Sequence, residues 1–226
     1  MNLADLQFPM RPTVLAQAML RPRICEGDLV IDATAGNGHD TLFLAECVGA
    51  KGKVMAFDVQ EAALLSARAR LLEAGYSERV EFFHQPHGKI AAFAHEGTAS
   101  VIMFNLGYLP GENHKITTVA SETLVALEVA TRTLKTGGVL SVICYPGHAT
   151  GADEAEAVEA WMTRLTGGGW RVAKYGAVGT RRPAPFLLIA AKADYEMTTR
   201  LLQAHWVNSI GTNNIEFQNR LSFTAT

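Results

Sequence analysis

The sequence predicts a doubly wound α/β fold with a mostly parallel sheet, and three observations carry that expectation. Short apolar runs alternate with alanine- and leucine-rich helical stretches along nearly the whole chain, which is how parallel sheets covered by helices are built. One junction, residues 29–45, is a strand, a glycine turn and a helix in immediate succession. That arrangement makes a nucleotide site at the carboxyl end of a first strand. Finally, 226 residues with 48% hydrophobic content suffice for one sizeable core.

Taken in order, residues 1–10 read as a loose lead-in. Pro12 opens a helix at its first turn, with Val14, Leu15, Ala18 and Met19 as the apolar face and Pro22 as the stop. Residues 29–31 form a short buried strand, followed after the glycine turn by a helix from Asp40 to near Gly49. Lys53–Asp58 is the second strand and Glu61–Glu73 a helix closed by Gly75. A third strand covers 80–83 and leads into His84-Gln85-Pro86-His87; a fourth covers 100–105. A long helix over 117–134 ends at Gly137-Gly138, and the fifth strand is 139–144. A helix over 154–165 is stopped by three glycines, and strands at 170–175 and 186–191 complete the series. No internal repeat or low-complexity tract interrupts it.

Composition excludes several classes. A formal net charge of −2 supplies no global basic field, so any nucleic-acid contact must be local. Cys25, Cys47 and Cys144 are odd in number and lack CxxC spacing, which suggests neither a disulfide framework nor a zinc site. With no leader peptide and no apolar run of membrane-spanning length, the expectation is a soluble, cytoplasmic protein without a membrane or metal partner.

The glycine turn reads Asp32-Ala33-Thr34-Ala35-Gly36-Asn37-Gly38-His39-Asp40. Gly36 and Gly38 let the backbone turn tightly and approach a ligand. A dinucleotide fingerprint would place a third small residue where Thr41 stands. The Asp32 carboxylate would repel a pyrophosphate but suits a cationic ligand. S-adenosyl-L-methionine carries a sulfonium and an ammonium, so Asp32 and Thr41 together favour it. Asp58 ends the second strand twenty residues after Gly38, where a carboxylate accepts ribose hydroxyls in either cofactor class. Asp40 reads equally as a helix cap or a ligand contact.

Two further loops fall at the carboxyl edge of the sheet. Asn105-Leu106-Gly107-Tyr108 after the fourth strand offers a side-chain amide and carbonyls to orient an amine, with Tyr108 as a stacking platform; the same residues also make an ordinary turn. Tyr145-Pro146-Gly147-His148 after the fifth strand brings His148 as a proton acceptor or substrate contact, or simply as a solvated histidine.

Together, Asp32-Ala-Thr-Ala-Gly-Asn-Gly-His-Asp40, Phe104-Asn-Leu-Gly-Tyr-Leu-Pro110, Lys115-Ile-Thr-Thr118, Tyr145-Pro-Gly-His148 and Pro185-Phe-Leu187 resemble the YtqB/MnmM family of class I methyltransferases, long labelled rRNA methylases. The resemblance covers residues 10–192 and implies a Rossmann-like, seven-stranded sheet with an antiparallel last strand. It also implies N-methylation of the 5-aminomethyl group of (2-thio)uridine at the tRNA wobble position, releasing S-adenosyl-L-homocysteine, and a homodimer. Position by position, it assigns Asp32, Gly36 and Gly38 to the cofactor's methionine end, Thr34, Asn37, Asp40 and Thr41 also to the cofactor, Asp58 and Gln60 to its ribose, and His87 near the adenine or the pocket floor. Asn105, Tyr108 and His148 become the catalytic set, with Asn105 also at the cofactor; Gly107, Lys115, Thr117, Thr118 and Tyr145 face the substrate. Thr34 stands where the common class I turn has its first glycine. Residues 193–226 have no counterpart and form a separate tail after a methyltransferase domain of residues 1–192. Methylation of rRNA or of a small-molecule amine, and a non-catalytic cofactor-binding module, remain as alternatives. For RNA contact, Arg181-Arg182-Pro183 falls on the connection that best borders the pocket.

Overall fold

Side-chain alternation along seven strands sorts the apolar residues onto the two faces of one sheet. The strands are β1 (Leu29–Asp32), β2 (Lys53–Asp58), β3 (Val80–His84), β4 (Ala99–Asn105), β5 (Leu134–Cys144), β6 (Trp170–Gly176) and β7 (Phe186–Lys192). In this computed structural model, which describes residues 10–107, 118–147 and 151–194, their order is β3-β2-β1-β4-β5-β7-β6. Neighbours from β3 across to β5 are parallel, and β7 runs antiparallel to both β5 and β6. The doubly wound sheet with an antiparallel final strand is therefore present as expected.

Among the described residues, five α-helices cover the sheet: α1 (Pro12–Leu20), α2 (His39–Val48), α3 (Glu61–Glu73), α4 (Ala120–Thr133) and α5 (Gly151–Leu165). Val30, Val101, Met103, Val139 and Ile143 pack with Leu20 of α1 and with Phe43 and Leu44 of α2. The alternate residues Ile31, Ile102, Phe104, Leu140 and Val142 pack with Leu127 of α4 and with Trp161 and Met162 of α5. Both faces being buried fixes the register, because a one-residue slip would exchange the two sets. The described residues through Lys192 make one compact unit, and of the tail only Ala193 and Asp194 are described. Among the described residues no helix is long and apolar enough to cross a membrane.

Several boundaries differ from the sequence expectation. α4 stops at Thr133, and Leu134 is already extended and paired with Ala99. The Gly137-Gly138 pair thus lies inside β5, where an irregularity between Ala99 and Val101 of β4 takes up the surplus residues. α5 begins at Gly151 instead of Glu154, and His87–Ala92 adds a short 3-10 turn after β3. On α1 the residues packed inward are Leu15, Ala16, Met19 and Leu20. Val14 and Ala18, expected on that face, are not in the cluster.

Candidate active site

The winding reverses at β1, with β2 and β3 on one side and β4 and β5 on the other. Both neighbours catch the chain as it leaves β1. The Ala33 N–H donates to the Met103 carbonyl of β4 and the Ala35 N–H to the Phe57 carbonyl of β2, each at 2.8 Å. Asp32 is in register with Ala56 and Met103, so Asp58 and Asn105 stand two residues further along on either side. Asn105 pairs with Ile143, which brings Tyr145 to the same edge. Over this crevice lies a cavity of about 480 Å³, the size of a small-molecule site.

The turn between β1 and α2 is held by side chains both beneath the cavity lining and within it. Asp32 is 1% exposed; its Oδ1 accepts the Thr34 N–H at 3.1 Å and its Oδ2 the Thr41 hydroxyl at 2.6 Å. Thr34, in place of a glycine, ties the turn to β4: its Oγ1 accepts the Asn105 N–H at 2.7 Å. Gly36 (φ 50°) donates its N–H to Asp58 Oδ2, and Asp58 Oδ1 accepts the Gln60 N–H, both at 2.9 Å. Gly38 adopts φ 78° and a Cβ there would lie 2.7 Å from the Ala67 Cα. Its smallness therefore permits the close approach of α3.

Burial pushes the Asp32 carboxyl up to about 7, with the neighbouring Asp40 charge adding and the Thr41 and Thr34 hydrogen bonds opposing. An unfolded aspartate titrates near ~3.9, so the folded chain holds the extra proton between that value and about 7. Stability is accordingly expected to fall as pH rises across this window and to level above it. Asp40 acts with the same sign. Asp32→Asn should remove part of the slope in thermal unfolding followed from pH 5 to 8; an identical slope in both proteins would contradict this.

Asp40 is not the helix cap: Gly38 holds that position, and Asp40 lies in the first turn, 7% exposed. Its Oδ1 accepts Gln17 Nε2 from α1 at 2.8 Å and its Oδ2 accepts Asn105 Nδ2 at 3.4 Å. Burial raises the Asp40 carboxyl above the ordinary range against these two donors. Asn105 also hydrogen-bonds Tyr145, whose phenol is raised by burial and by the Asp40 charge and so stays protonated at neutral pH. A carboxylate, an amide and a phenol thus converge on one wall of the cavity.

The opposite wall is less polar. Val59, 51% exposed, lines it together with Pro86 and His87. Burial lowers the His87 imidazole, which is therefore neutral at pH 7; nearby Glu154 and Glu122 and a hydrogen bond with the Ala33 backbone oppose the shift. Gly107 and Thr118 clasp each other: the Gly107 N–H donates to Thr118 Oγ1 at 2.9 Å, and the Thr118 N–H to the Gly107 carbonyl at 3.1 Å. The buried Glu154 of α5 holds this clasp by accepting the hydroxyls of Thr118 at 2.7 Å and Thr123 at 2.6 Å.

Of the residues singled out in the sequence, Thr34, Gly36, Asn37, Asp40, Asp58, Gln60, His87, Asn105, Gly107 and Tyr145 line the cavity. Asp32, Gly38 and Thr41 are not among the lining residues. Tyr108, Lys115, Thr117 and His148 lie outside the described residues. Gln17 and Glu154 were missed, because each acts through a partner more than twenty residues away in sequence.

Residues 54–191, more than half of the chain, match the family described as "Putative rRNA methylase". The chain belongs to that family. This rRNA-methylase family chain is 38% identical over 193 residues to an Arabidopsis thaliana protein named tRNA (mnm(5)s(2)U34)-methyltransferase, chloroplastic, covering 81% of this chain and 70% of that one. Among solved structures, it matches a Clostridium thermocellum protein of the same description (31% identity, TM-score 0.79, 82% of this chain and 100% of that one). It also matches a Streptococcus mutans putative methyltransferase solved in complex with SAH (32% identity, TM-score 0.73, 80% and 98% coverage).

Proposed function

We propose that this rRNA-methylase family chain is an S-adenosylmethionine-dependent methyltransferase that N-methylates the 5-aminomethyl group of (2-thio)uridine at the wobble position of tRNA. Residues 1–192 form its methyltransferase domain, and the anticodon loop is the RNA element it engages. The observation that carries the reading is the Asp40–Asn105–Tyr145 cluster, which shares one cavity with Asp58 at the switch point of the sheet. The names of the Arabidopsis and Streptococcus mutans relatives supply the acceptor and the cofactor class.

The residues present fit that cofactor. Asp58 offers a carboxylate for ribose hydroxyls, and half-exposed Val59 with Pro86 offers an apolar surface for a flat base. Asp40 offers negative charge to a cationic methionine end. Bound there, S-adenosylmethionine supplies an electrophilic methyl on a sulfonium leaving group. The chain's own task is then positioning, which converts an encounter into an aligned pair. Asn105 and Tyr145 orient the acceptor nitrogen by hydrogen bonds, and the neutral His87 adds no second cation to the wall. With that group bound, Asn105 and Tyr145 would hold the acceptor nitrogen in its neutral form toward the methyl group, and the methylated product would leave as a secondary ammonium beside neutral S-adenosylhomocysteine.

The test is methyl transfer from labelled S-adenosylmethionine to bulk tRNA from cells lacking the gene, with nucleosides analysed by mass spectrometry. Conversion of 5-aminomethyl-2-thiouridine to its N-methyl form is expected. Clear cofactor binding without transfer to tRNA would overturn the acceptor and turn the search to rRNA and small amines.

A further inference from the structure

β6 and β7 are antiparallel neighbours, a pairing that two to five residues commonly close. Nine residues, 177–185, connect them here, with two cations and no acid among them. The far end of this connection belongs to the cavity, because Pro183 and Pro185 line it. A Cβ on Gly147 would lie 3.3 Å from the Pro183 carbonyl, so the segment after β5 and this connection close the same side. Proline fixes its own φ and restricts the residue before it, which gives the arginines a stiff base.

Arg181 and Arg182 are both exposed, and neither makes a hydrogen bond, ion pair or ring contact among the described residues. Several other cations are tied down, while Arg11, Arg23, Lys51, Lys89, Arg164 and Arg171 also lack a side-chain partner among the described residues. Arg70 donates to the Asn37 carbonyl, Arg79 to the Ala45 carbonyl, and Lys135 and Lys174 pair with Asp28 and Glu159. Two adjacent arginines, without a partner among the described residues, thus stand on the connection whose Pro183 and Pro185 line the cavity, in a chain whose net charge of −2 gives no general attraction for a polyanion.

We propose that this connection is an RNA-docking element, in which Arg181 and Arg182 take backbone phosphates flanking the base that enters the cavity. The inference rests on the tRNA reading above and names the surface that reading needs. A base presented to a cavity carries its backbone past the rim, and the guanidinium fork matches a phosphate in two hydrogen bonds. Two contacts suffice to orient a nucleotide already held by its base.

The test measures binding of a labelled anticodon stem-loop by fluorescence anisotropy at several salt concentrations, alongside cofactor binding by calorimetry and methyl transfer to tRNA. R181E/R182E is expected to weaken stem-loop binding at least about 30-fold while cofactor affinity, and hence the fold, is retained. R181Q/R182Q should lower the slope of log affinity against log salt by about 1.4, two single-strand phosphates' worth; R181K/R182K should keep it. Unchanged stem-loop affinity and salt slope in the reversed variant, or no stem-loop binding by the wild type, would overturn the inference. Arginine-dependent stem-loop binding by a chain that methylates no tRNA would leave this surface standing and overturn the proposed acceptor.

Discussion

Asp58→Ala is expected to weaken S-adenosylmethionine binding by at least about 100-fold and to abolish methyl transfer at ordinary cofactor concentrations. Within the protein, the carboxylate joins two loops by accepting the Gly36 and Gln60 N–H groups at 2.9 Å each. It also lines the cavity, and each oxygen keeps further acceptor capacity for a ribose hydroxyl. A hydrogen bond to a charged group contributes about 1.5–3 kcal/mol, so losing two costs roughly 3–6 kcal/mol, or about 10²–10⁴ in affinity. Loss of the Gly36 anchor adds to this, since the turn at φ 50° then has one tie fewer to β2. Calorimetry reads the affinity and thermal unfolding checks the fold. A dissociation constant within fivefold of wild type would remove Asp58 from the cofactor site.

What could be foreseen from the sequence follows the range of the forces involved. The strand, glycine turn and helix at β1–α2 were legible because Gly36 and Gly38 mark backbone conformations that other residues avoid, and these are local facts. Asp58 and Asn105 were legible because each ends an apolar strand, where a polar side chain needs a partner. The contacts that Asp32 and Thr41 make within the turn were hidden for the opposite reason. A carboxylate beside a turn suits a cation, but the hydrogen bonds that Asp32 accepts from Thr34 and Thr41 depend on the fold of the turn. Gln17 looked like part of an ordinary amphipathic helix, and only the docking of α1 brings it to Asp40. The early start of β5 was hidden because Gly137-Gly138 reads as a helix stop, whereas pairing of Leu134 with Ala99 decides the matter from across the sheet. Tertiary pairing outweighed local propensity there.

Asn105→Ala is expected to lower kcat by about 10²–10³-fold, the usual cost of removing one oriented polar group from a reacting centre, with a much smaller change in cofactor affinity. The backbone bond from Asn105 N–H to Thr34 survives the substitution, so the end of β4 stays in place. Only the side-chain bridge disappears, and with it the link between Asp40 and Tyr145. Tyr145 then loses a partner that directs its hydroxyl, while Asp40 keeps Gln17 alone. Removing a donor from an ionised carboxylate disfavours its charged form, so the Asp40 carboxyl, already raised by burial, moves higher still. Affinity for a cationic cofactor should rise with pH as Asp40 ionises, and the midpoint of that rise should move to higher pH in the variant. This readout needs no RNA and separates the bridge from a simple packing role: truncation that only loosened the wall would lower kcat and leave the midpoint where it was. An unshifted midpoint would show that Asn105 does not govern the charge on Asp40, and the wall would then act through Tyr145 alone.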